Sequence, residues 1–163
     1  MKVPLIEIPI ATREGIFLAR YSENGLAELK FPQVGRARAA NQEKAPAQIR
    51  GWQRLTEAAL KNVLSGRAPK KFPPLDLVGT DFQRSVWNAL RKTSCGKTKS
   101  YGEIAVAIGK PKAVRAVGGA CGANPVPVLI PCHRVLAANG KIGGFSGGLD
   151  WKRDLLAREG IKI

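Results

Sequence analysis

The sequence predicts an α/β (α+β) fold, with a small N-terminal antiparallel sheet and a covering helix before a mostly helical C-terminal domain that contains a helix-turn-helix. Three observations predict it. Apolar runs and a turn signal fill the first third, apolar residues recur at helical spacing over residues 48–65, and two capping-box patterns begin helices in the second half. The composition is globular, since 44% of the 163 residues are hydrophobic and 24% are charged.

The N-terminal elements follow in order. Segments around residues 3–10, 15–21 and 26–31 are rich in Ile, Leu, Val and Phe, which favours strands, and Asn24-Gly25 predicts a hairpin turn between the last two. Residues 36–47 are polar and predict an exposed loop.

A helix and a linker complete this half. The helix over residues 48–65 is expected to cover the sheet and to stop at Gly66. Residues 66–79 are rich in proline and predict a linker. We therefore expect an N-terminal domain of residues 1–72 and a C-terminal domain of residues 73–163.

The second half begins with short helices. Thr80 to Gln83 and Ser100 to Glu103 both have capping-box spacing. The second of these helices ends at Gly109, and another begins almost at once within residues 112–122, which predicts a helix-turn-helix. Its second helix carries one arginine among small residues, which permit close approach to a partner.

The remaining elements are an extended segment, a turn and a helix. Residues 125–136 combine β-branched residues with prolines and predict an extended buried segment. Asn139-Gly140 predicts a turn. The last helix, about 149–158, is expected to bury Trp151, Leu155 and Leu156.

The charge predicts a polyanionic partner. There are 27 Lys and Arg against 12 Asp and Glu, giving a formal net charge of +15. Charge alone does not separate DNA from RNA or anionic lipid.

No apolar run approaches the roughly 20 residues of a membrane-spanning helix, and the N-terminus lacks signal-peptide features, so a cytoplasmic location is expected. The three cysteines and one histidine show no metal-ligand spacing, so we expect free thiols and neither metal nor cofactor.

The most specific short motif is Pro131-Cys132-His133-Arg134, which places a thiol beside the only histidine. Free cysteine has a pKa of about 8.5, and a nearby imidazole or positive charge increases its reactive thiolate fraction. Most lone buried cysteines only fill space, and we favour that interpretation for Cys95 and Cys121. A GxSxG match at residues 144–148 has no histidine after it, and a P-loop-like match has Arg91 where glycine is required.

Five motifs resemble those of the O6-alkylguanine-DNA alkyltransferases and follow one another in the order SYGEIA, AVRAVGGA, NPVPVLIPCHRV, which includes PCHRV, GGFSGG and LLAREG. The resemblance is close over residues 80–163 and loose over 1–70, where it implies a ribonuclease H-like domain. It implies DNA repair by a single irreversible transfer of an alkyl group from O6-alkylguanine, with O4-alkylthymine as a further substrate, onto Cys132. The zinc ligands of some members have no counterparts in this chain.

For DNA, the resemblance implies that the helix-turn-helix enters the minor groove of alkylated duplex DNA, where the damaged base is flipped out. Arg115 would fill the vacated stack, although alone it indicates only a surface charge or a phosphate contact. Small or apolar residues would let the backbone lie close to the DNA: Ala113, Val114, Ala116 and Gly118.

For catalysis, the resemblance implies that the Cys132 thiolate attacks the alkyl carbon while Tyr101 donates a proton to guanine. His133, oriented by Glu159, would take the thiol proton through a water, because neighbours on an extended segment point to opposite faces. Asn124 would tie the helix-turn-helix to the cysteine segment. Without the resemblance, the sequence indicates only structural roles for these residues. Tyr101 would be a packed aromatic, Glu159 a solvated residue at a helix end and Asn124 a turn former.

The pocket wall is implied to include GGFSGG, where many members have tyrosine at the position of Phe145. The implied pocket residues are Val135, Phe145, Ser146, Gly147 and Cys121. A monomer with no membrane association is expected. Three alternatives remain: a lesion-binding protein, which would carry another residue at position 132, a helix-turn-helix regulator that reads the major groove, and a thiol hydrolase, which would turn over.

Overall fold

An antiparallel sheet opens the chain in the computed structural model, which describes residues 4–33 and 45–163. Its strands are β1 (Ile6–Thr12), β2 (Gly15–Tyr21) and β3 (Leu26–Lys30), in the order β1-β2-β3. The three strands confirm the predicted segments to within a few residues. The turn before β3 is closed by a hydrogen bond from Ser22 N to Gly25 O of 2.9 Å.

Helix α1 (Ala47–Leu64) packs on this sheet, mainly against β1. Its buried residues recur at helical spacing, and the Tyr21 hydroxyl of β2 donates a buried hydrogen bond of 2.7 Å to Thr56 Oγ1. The predicted covering helix is thereby confirmed. Most of the predicted polar loop, residues 36–47, lies outside the described residues.

The proline-rich stretch after α1 is fastened to the edge of the sheet. Leu26 N donates to Pro74 O at 2.7 Å, and Asp76 N donates to Leu26 O at 2.9 Å. The hydrophobic core also continues from the sheet and α1 into the C-terminal helices. The predicted boundary between residues 72 and 73 therefore falls within a segment that packs on its neighbours.

The C-terminal half contains four helices among the described residues, namely α2 (Asp81–Arg91), α3 (Tyr101–Ala107), α4 (Val114–Gly122) and α5 (Leu149–Arg158). Both predicted capping boxes are closed at the starts of α2 and α3. Trp87 of α2 is buried and donates from Nε1 to Ala120 O of α4 at 2.8 Å. This bond joins α2 to the second helix of the helix-turn-helix.

The segment over residues 125–136 is buried as predicted, but the prediction that it is extended is wrong. Ile130 N bonds Val126 O at 2.9 Å, Val128 has a φ of 74°, and Cys132–Arg134 form a 3₁₀ turn. Prolines fix their own φ and remove ladder donors, so the chain turns instead of pairing as a long strand. A regular strand forms at its end, where β5 (Val135–Leu136) runs parallel to β4 (Lys99–Ser100).

The turn at Asn139-Gly140 is confirmed, because both residues have a positive φ, 65° and 71°. Helix α5 has the predicted bounds and buries Leu155 and Leu156, whereas Trp151 is only partly buried. Within residues 4–33 and 45–163, no helix has the length and apolar character needed to cross a membrane.

Candidate active site

A cavity of about 140 Å³ lies between the helix-turn-helix, the 3₁₀ turn and the loop before α5. It brings together three of the five predicted pocket residues and two of the five predicted catalytic residues. The described residues that line it are Tyr101, Gly118, Cys121, Gly122, Cys132, Gly144, Phe145 and Ser146. On the side of α4 there is open space at the cavity wall, because a Cβ added to Gly118 or Gly122 would meet nothing within 4 Å.

Cys132 reaches this cavity from a buried position, with 4% of its surface exposed. Burial raises the pKa of its thiol to about 11, although a hydrogen bond from Asn124 and the charge of Lys152 both lower it. At neutral pH the thiol is therefore mostly protonated. Its use as a nucleophile requires a base that removes the proton as the sulfur attacks.

Asn124 follows α4 and is fixed by two hydrogen bonds. Its Nδ2 donates to Ile130 O at 2.9 Å, and its Oδ1 accepts from Val126 N at 3.0 Å. The side chain thus closes the turned segment that precedes Cys132. Asn124 therefore lies between the end of α4 and the turned segment, and both of these side-chain bonds go to the latter.

His133 lies beside Cys132 but its side chain faces Glu159, with Nε2 3.1 Å from Oε1. Both side chains are at most 1% exposed. Cys132 and His133 do not lie on opposite faces of an extended segment, as predicted, but in a 3₁₀ turn, where successive side chains diverge by about a third of a turn. His133 is not among the residues that line the cavity.

The electrostatics of this pair suit proton transfer. Burial lowers the pKa of His133, and this outweighs the opposing effect of Glu159, so the imidazole is neutral at neutral pH. Its Nδ1 is buried and has no hydrogen-bond partner in the part of the chain that the structure describes. With Nε2–H donating to Glu159, Nδ1 is the basic nitrogen.

Arg134 holds Glu159 and was not predicted as a site residue. Its guanidinium donates three hydrogen bonds of 2.7–3.1 Å to the carboxylate and a fourth, 2.7 Å long, to Thr93 O. Burial raises the pKa of Glu159, but the bonds from His133 and Arg134 outweigh it and bring the value to about 2. Glu159 is therefore a buried anion, and not a solvated helix end.

Lys152 is the second site residue that the sequence analysis missed. It is fully buried on α5, and Nζ donates to Val135 O at 2.7 Å and to Gly144 O at 3.0 Å. It joins the strand after the cysteine turn to the cavity loop and places a positive charge near Cys132. The available signal was its spacing, since Lys152, Leu155 and Leu156 share one helix face.

Tyr101 begins α3 directly after the Ser100 cap and is half-buried at the cavity. Burial raises the pKa of its hydroxyl, and a backbone hydrogen bond from Gly144 partly offsets this rise. The phenol stays protonated at neutral pH and can donate a proton. Cys95 lies elsewhere, where its Sγ is 3.4 Å from Gly66 O.

The predicted DNA-binding residues lie at and near the start of α4. Arg115, Ala116 and Val114 are exposed, while Ala113 and Gly118 are partly exposed. Because Gly118 also lines the cavity, the exposed face of α4 leads into it.

Two predicted pocket residues do not line the cavity. Val135 is fully buried in β5, where its carbonyl accepts from Lys152. Gly147 lines a neighbouring cleft of about 620 Å³ together with Ser146, which borders both spaces. The part of the chain that the structure describes contains no cluster of three or more metal-binding side chains.

Comparisons with known proteins point to one family. Residues 81–161 match the family model described as 6-O-methylguanine DNA methyltransferase, DNA binding domain. A methylated-DNA--protein-cysteine methyltransferase of Methanosarcina barkeri is 43% identical over 98% of this chain and 97% of its own. A relative of the same name from Mycolicibacterium paratuberculosis is 58% identical, and that match spans about half of each chain, 52%. The crystal structure of Mycobacterium tuberculosis OGT in complex with DNA has a TM-score of 0.74 at 37% identity and covers 94% of this chain and 92% of its own.

Proposed function

The chain belongs to the 6-O-methylguanine DNA methyltransferase family, and from this premise we propose that it repairs DNA by moving an alkyl group from guanine O6 onto Cys132. The observation that carries the proposal is that the thiol of Cys132 lines a small cavity and that the next residue, His133, forms a buried pair with the Glu159 carboxylate. O4-alkylthymine is proposed as a further substrate, since it also carries its alkyl group on an exocyclic oxygen of the base.

The proposed encounter with DNA uses the exposed face of α4. A base inside a duplex is out of reach of a buried thiol, so the damaged nucleotide has to rotate out of the stack. The small residues of α4 let its backbone lie in the minor groove, and Arg115 occupies the space that the base leaves. The rotated base then enters beside Gly118, which lies on both the exposed face and the cavity wall.

The proposed reaction is one nucleophilic displacement. The Cys132 sulfur forms a bond to the alkyl carbon as the bond from that carbon to guanine O6 breaks, and the electron pair of this bond stays on guanine. Tyr101 donates a proton to the departing base. The thiol proton passes through a water to His133 Nδ1, and the resulting imidazolium is stabilised by the Glu159 carboxylate.

The product explains why each molecule should act once. A thioether between Cys132 and the alkyl group is stable, and the neighbouring thiol of Cys121 cannot reverse it by thiol exchange, which requires a disulfide. Restored guanine leaves the cavity and the protein keeps the alkyl group. No cofactor is needed in this scheme.

Further proposals concern the whole chain. We propose that it acts as a monomer in the cytoplasm on alkylated duplex DNA, with residues 1–72 and 73–163 as its two domains. The net charge of +15 supports the part of this proposal that concerns duplex DNA, which is a polyanion.

The test is intact-protein mass spectrometry after incubation with a duplex that contains O6-methylguanine. We expect the mass of one methyl group per molecule, located on the Cys132 peptide. Cys132→Ser should bind the duplex without gaining mass. Arg115→Ala should reduce the rotation of the base more strongly than it reduces DNA affinity. Base rotation is followed by the fluorescence of 2-aminopurine placed opposite the lesion. An unmodified wild-type protein, or a methyl group on another residue, contradicts the proposal. A lesion-binding protein would bind without gaining mass, and a hydrolase would turn over repeatedly.

A further inference from the structure

Phe31 connects the N-terminal sheet to the wall of the active-site cavity. It directly follows β3 and is half-buried. Its ring packs edge-on against Phe145, with the centroids 5.7 Å apart and the planes at 76°. Because Phe145 lines the cavity beside Cys132, a side chain from outside the C-terminal half supports the cavity wall.

Phe31 is itself held by the core. Its centroid lies 5.0 Å from that of Trp151 on α5 and 5.7 Å from that of Phe17 on β2, which is fully buried. Phe17 and Trp151 also pack against each other at 5.8 Å. Three mutually packed rings leave Phe31 little freedom, so it is a firm support for Phe145.

The loop that carries Phe145 has a glycine where Phe31 approaches it. A Cβ built on Gly147 would lie 2.5 Å from Phe31 Cε2 and 2.8 Å from its Cζ. Gly147 has no positive φ, so its backbone alone would accept alanine. The ring of Phe31 therefore leaves no room for a Cβ at this position and packs closely against the loop.

We propose that Phe31 is a specificity-determining residue that limits the size of the alkyl group that the cavity accepts; this inference rests on the proposed function. A cavity of about 140 Å³ is small, and Phe145 is its only bulky wall residue with an aromatic neighbour in the N-terminal part among the described residues. Without Phe31, Phe145 can turn away from the sulfur, and the cavity can admit a larger alkyl group. The same freedom makes the methyl group less well positioned.

The experiment compares transfer rates from two duplexes, one with O6-methylguanine and one with O6-benzylguanine, whose alkyl group adds an aromatic ring. In Phe31→Ala we expect the ratio of benzyl to methyl rates to rise roughly tenfold, the scale of one buried aromatic contact. The matched control is Trp52→Ala, which removes a half-buried aromatic partner of Tyr21 in the same N-terminal part, away from the cavity. Its ratio should equal that of the wild type.

An unchanged ratio in Phe31→Ala, or an equal rise in Trp52→Ala, overturns the inference. Failure of the wild-type protein to accept a methyl group overturns the proposed function instead. If Phe31→Ala does not fold by circular dichroism, Phe31→Leu provides the same comparison with a smaller expected rise, and an unchanged ratio in that variant also overturns the inference.

A double-mutant cycle adds an independent measurement. Gly147→Ala alone should slow methyl transfer, because its Cβ displaces either the loop or the ring. In the Phe31→Ala background the same change should have a much smaller effect, since the obstructing ring is gone. Equal effects in the two backgrounds would mean that Phe31 does not act on this loop.

Discussion

The protonation states of Cys132 and its neighbours explain why a buried thiol can still react. Burial raises the pKa of Cys132 to about 11 and lowers that of His133, so thiol and imidazole are both neutral before the reaction. Neutral partners avoid the cost of holding an unpaired charge in the interior. Charge develops only as the sulfur attacks, and Glu159, with a pKa of about 2, is already ionised to stabilise it.

This arrangement predicts the pH dependence of transfer. His133 can accept a proton only when neutral, and its pKa lies below the ordinary 6.5, so the rate should be level near neutrality and fall only at pH values below 6.5. Single-turnover methyl transfer at a series of pH values measures this. In Glu159→Gln the loss of the carboxylate should lower the pKa of His133 further and move the decline to more acidic pH. A decline that begins above pH 6.5 would contradict the assignment.

Lys152 provides a second prediction at this scale. Lys152→Met removes a positive charge near Cys132 and leaves the carbonyls of Val135 and Gly144 without their donor, at a cost of about 1–3 kcal/mol in the free energy of unfolding. The alkylation of Cys132 by iodoacetamide should shift to higher pH, because the lysine lowers the thiol pKa. Lys162→Met, at an exposed lysine, is the control. An unshifted profile would leave Lys152 with a structural role only.

At the scale of elements, two equivalent helix starts have different consequences. Thr80 and Ser100 each cap a helix through a closed capping box. Only the second cap is followed directly by a cavity residue, Tyr101. Removing either cap should therefore destabilise a helix, but only the removal of the Ser100 cap should also affect the position of Tyr101, the proposed proton donor.

We expect Thr80→Ala and Ser100→Ala each to lower the free energy of unfolding by about 1 kcal/mol, measured by urea denaturation. Methyl transfer should slow in Ser100→Ala and remain at the wild-type rate in Thr80→Ala, because α2 does not reach the cavity. Equal transfer rates in the two variants would show that Tyr101 does not depend on its cap.

The elements also show where sequence reasoning succeeds. Caps, turns and the spacing of apolar residues are local, and they predicted α1, α5 and both capping boxes within a residue or two. The turned path before Cys132 depends on Val128 in a left-handed conformation, which its β-branched side chain disfavours and no local signal indicates. The reach of Phe31 to Phe145 depends on tertiary packing.

For the whole molecule, the net charge of +15 predicts strongly salt-dependent DNA binding. A protein that contacts six or more phosphates loses roughly a thousandfold in affinity between about 50 and 200 mM salt. Lys112→Ala, at an exposed lysine just before α4, should reduce the log-log slope by about one, whereas Arg115→Ala should leave it unchanged if Arg115 replaces a base. Fluorescence anisotropy at several salt concentrations measures both slopes. A reduced slope for Arg115→Ala would make it a phosphate contact.

The motifs predicted the reactive residues of the site better than the buried charged residues that hold them in place. Cys132, Tyr101 and Ser146 were predicted as site residues because the motifs that contain them resemble those of the alkyltransferases, and the three residues meet at one cavity. Arg134 and Lys152 were missed because a charged residue is ordinarily assigned to the surface, and only the fold shows that both are buried. Buried charges are identifiable from sequence only when an apolar helix face happens to include them.

The fastening of the proline-rich stretch to β3 has a consequence for how the protein behaves at high concentration. A bare strand edge recruits strands from other molecules and starts aggregation. Here Pro74 and Asp76 bond the backbone of Leu26, and Pro125 accepts from Leu29 N at 2.9 Å, so the outer side of β3 is occupied by its own chain. On the opposite edge, Pro9 lies within β1 and offers no N–H. Concentrated solutions should therefore resist the growth of intermolecular β-structure.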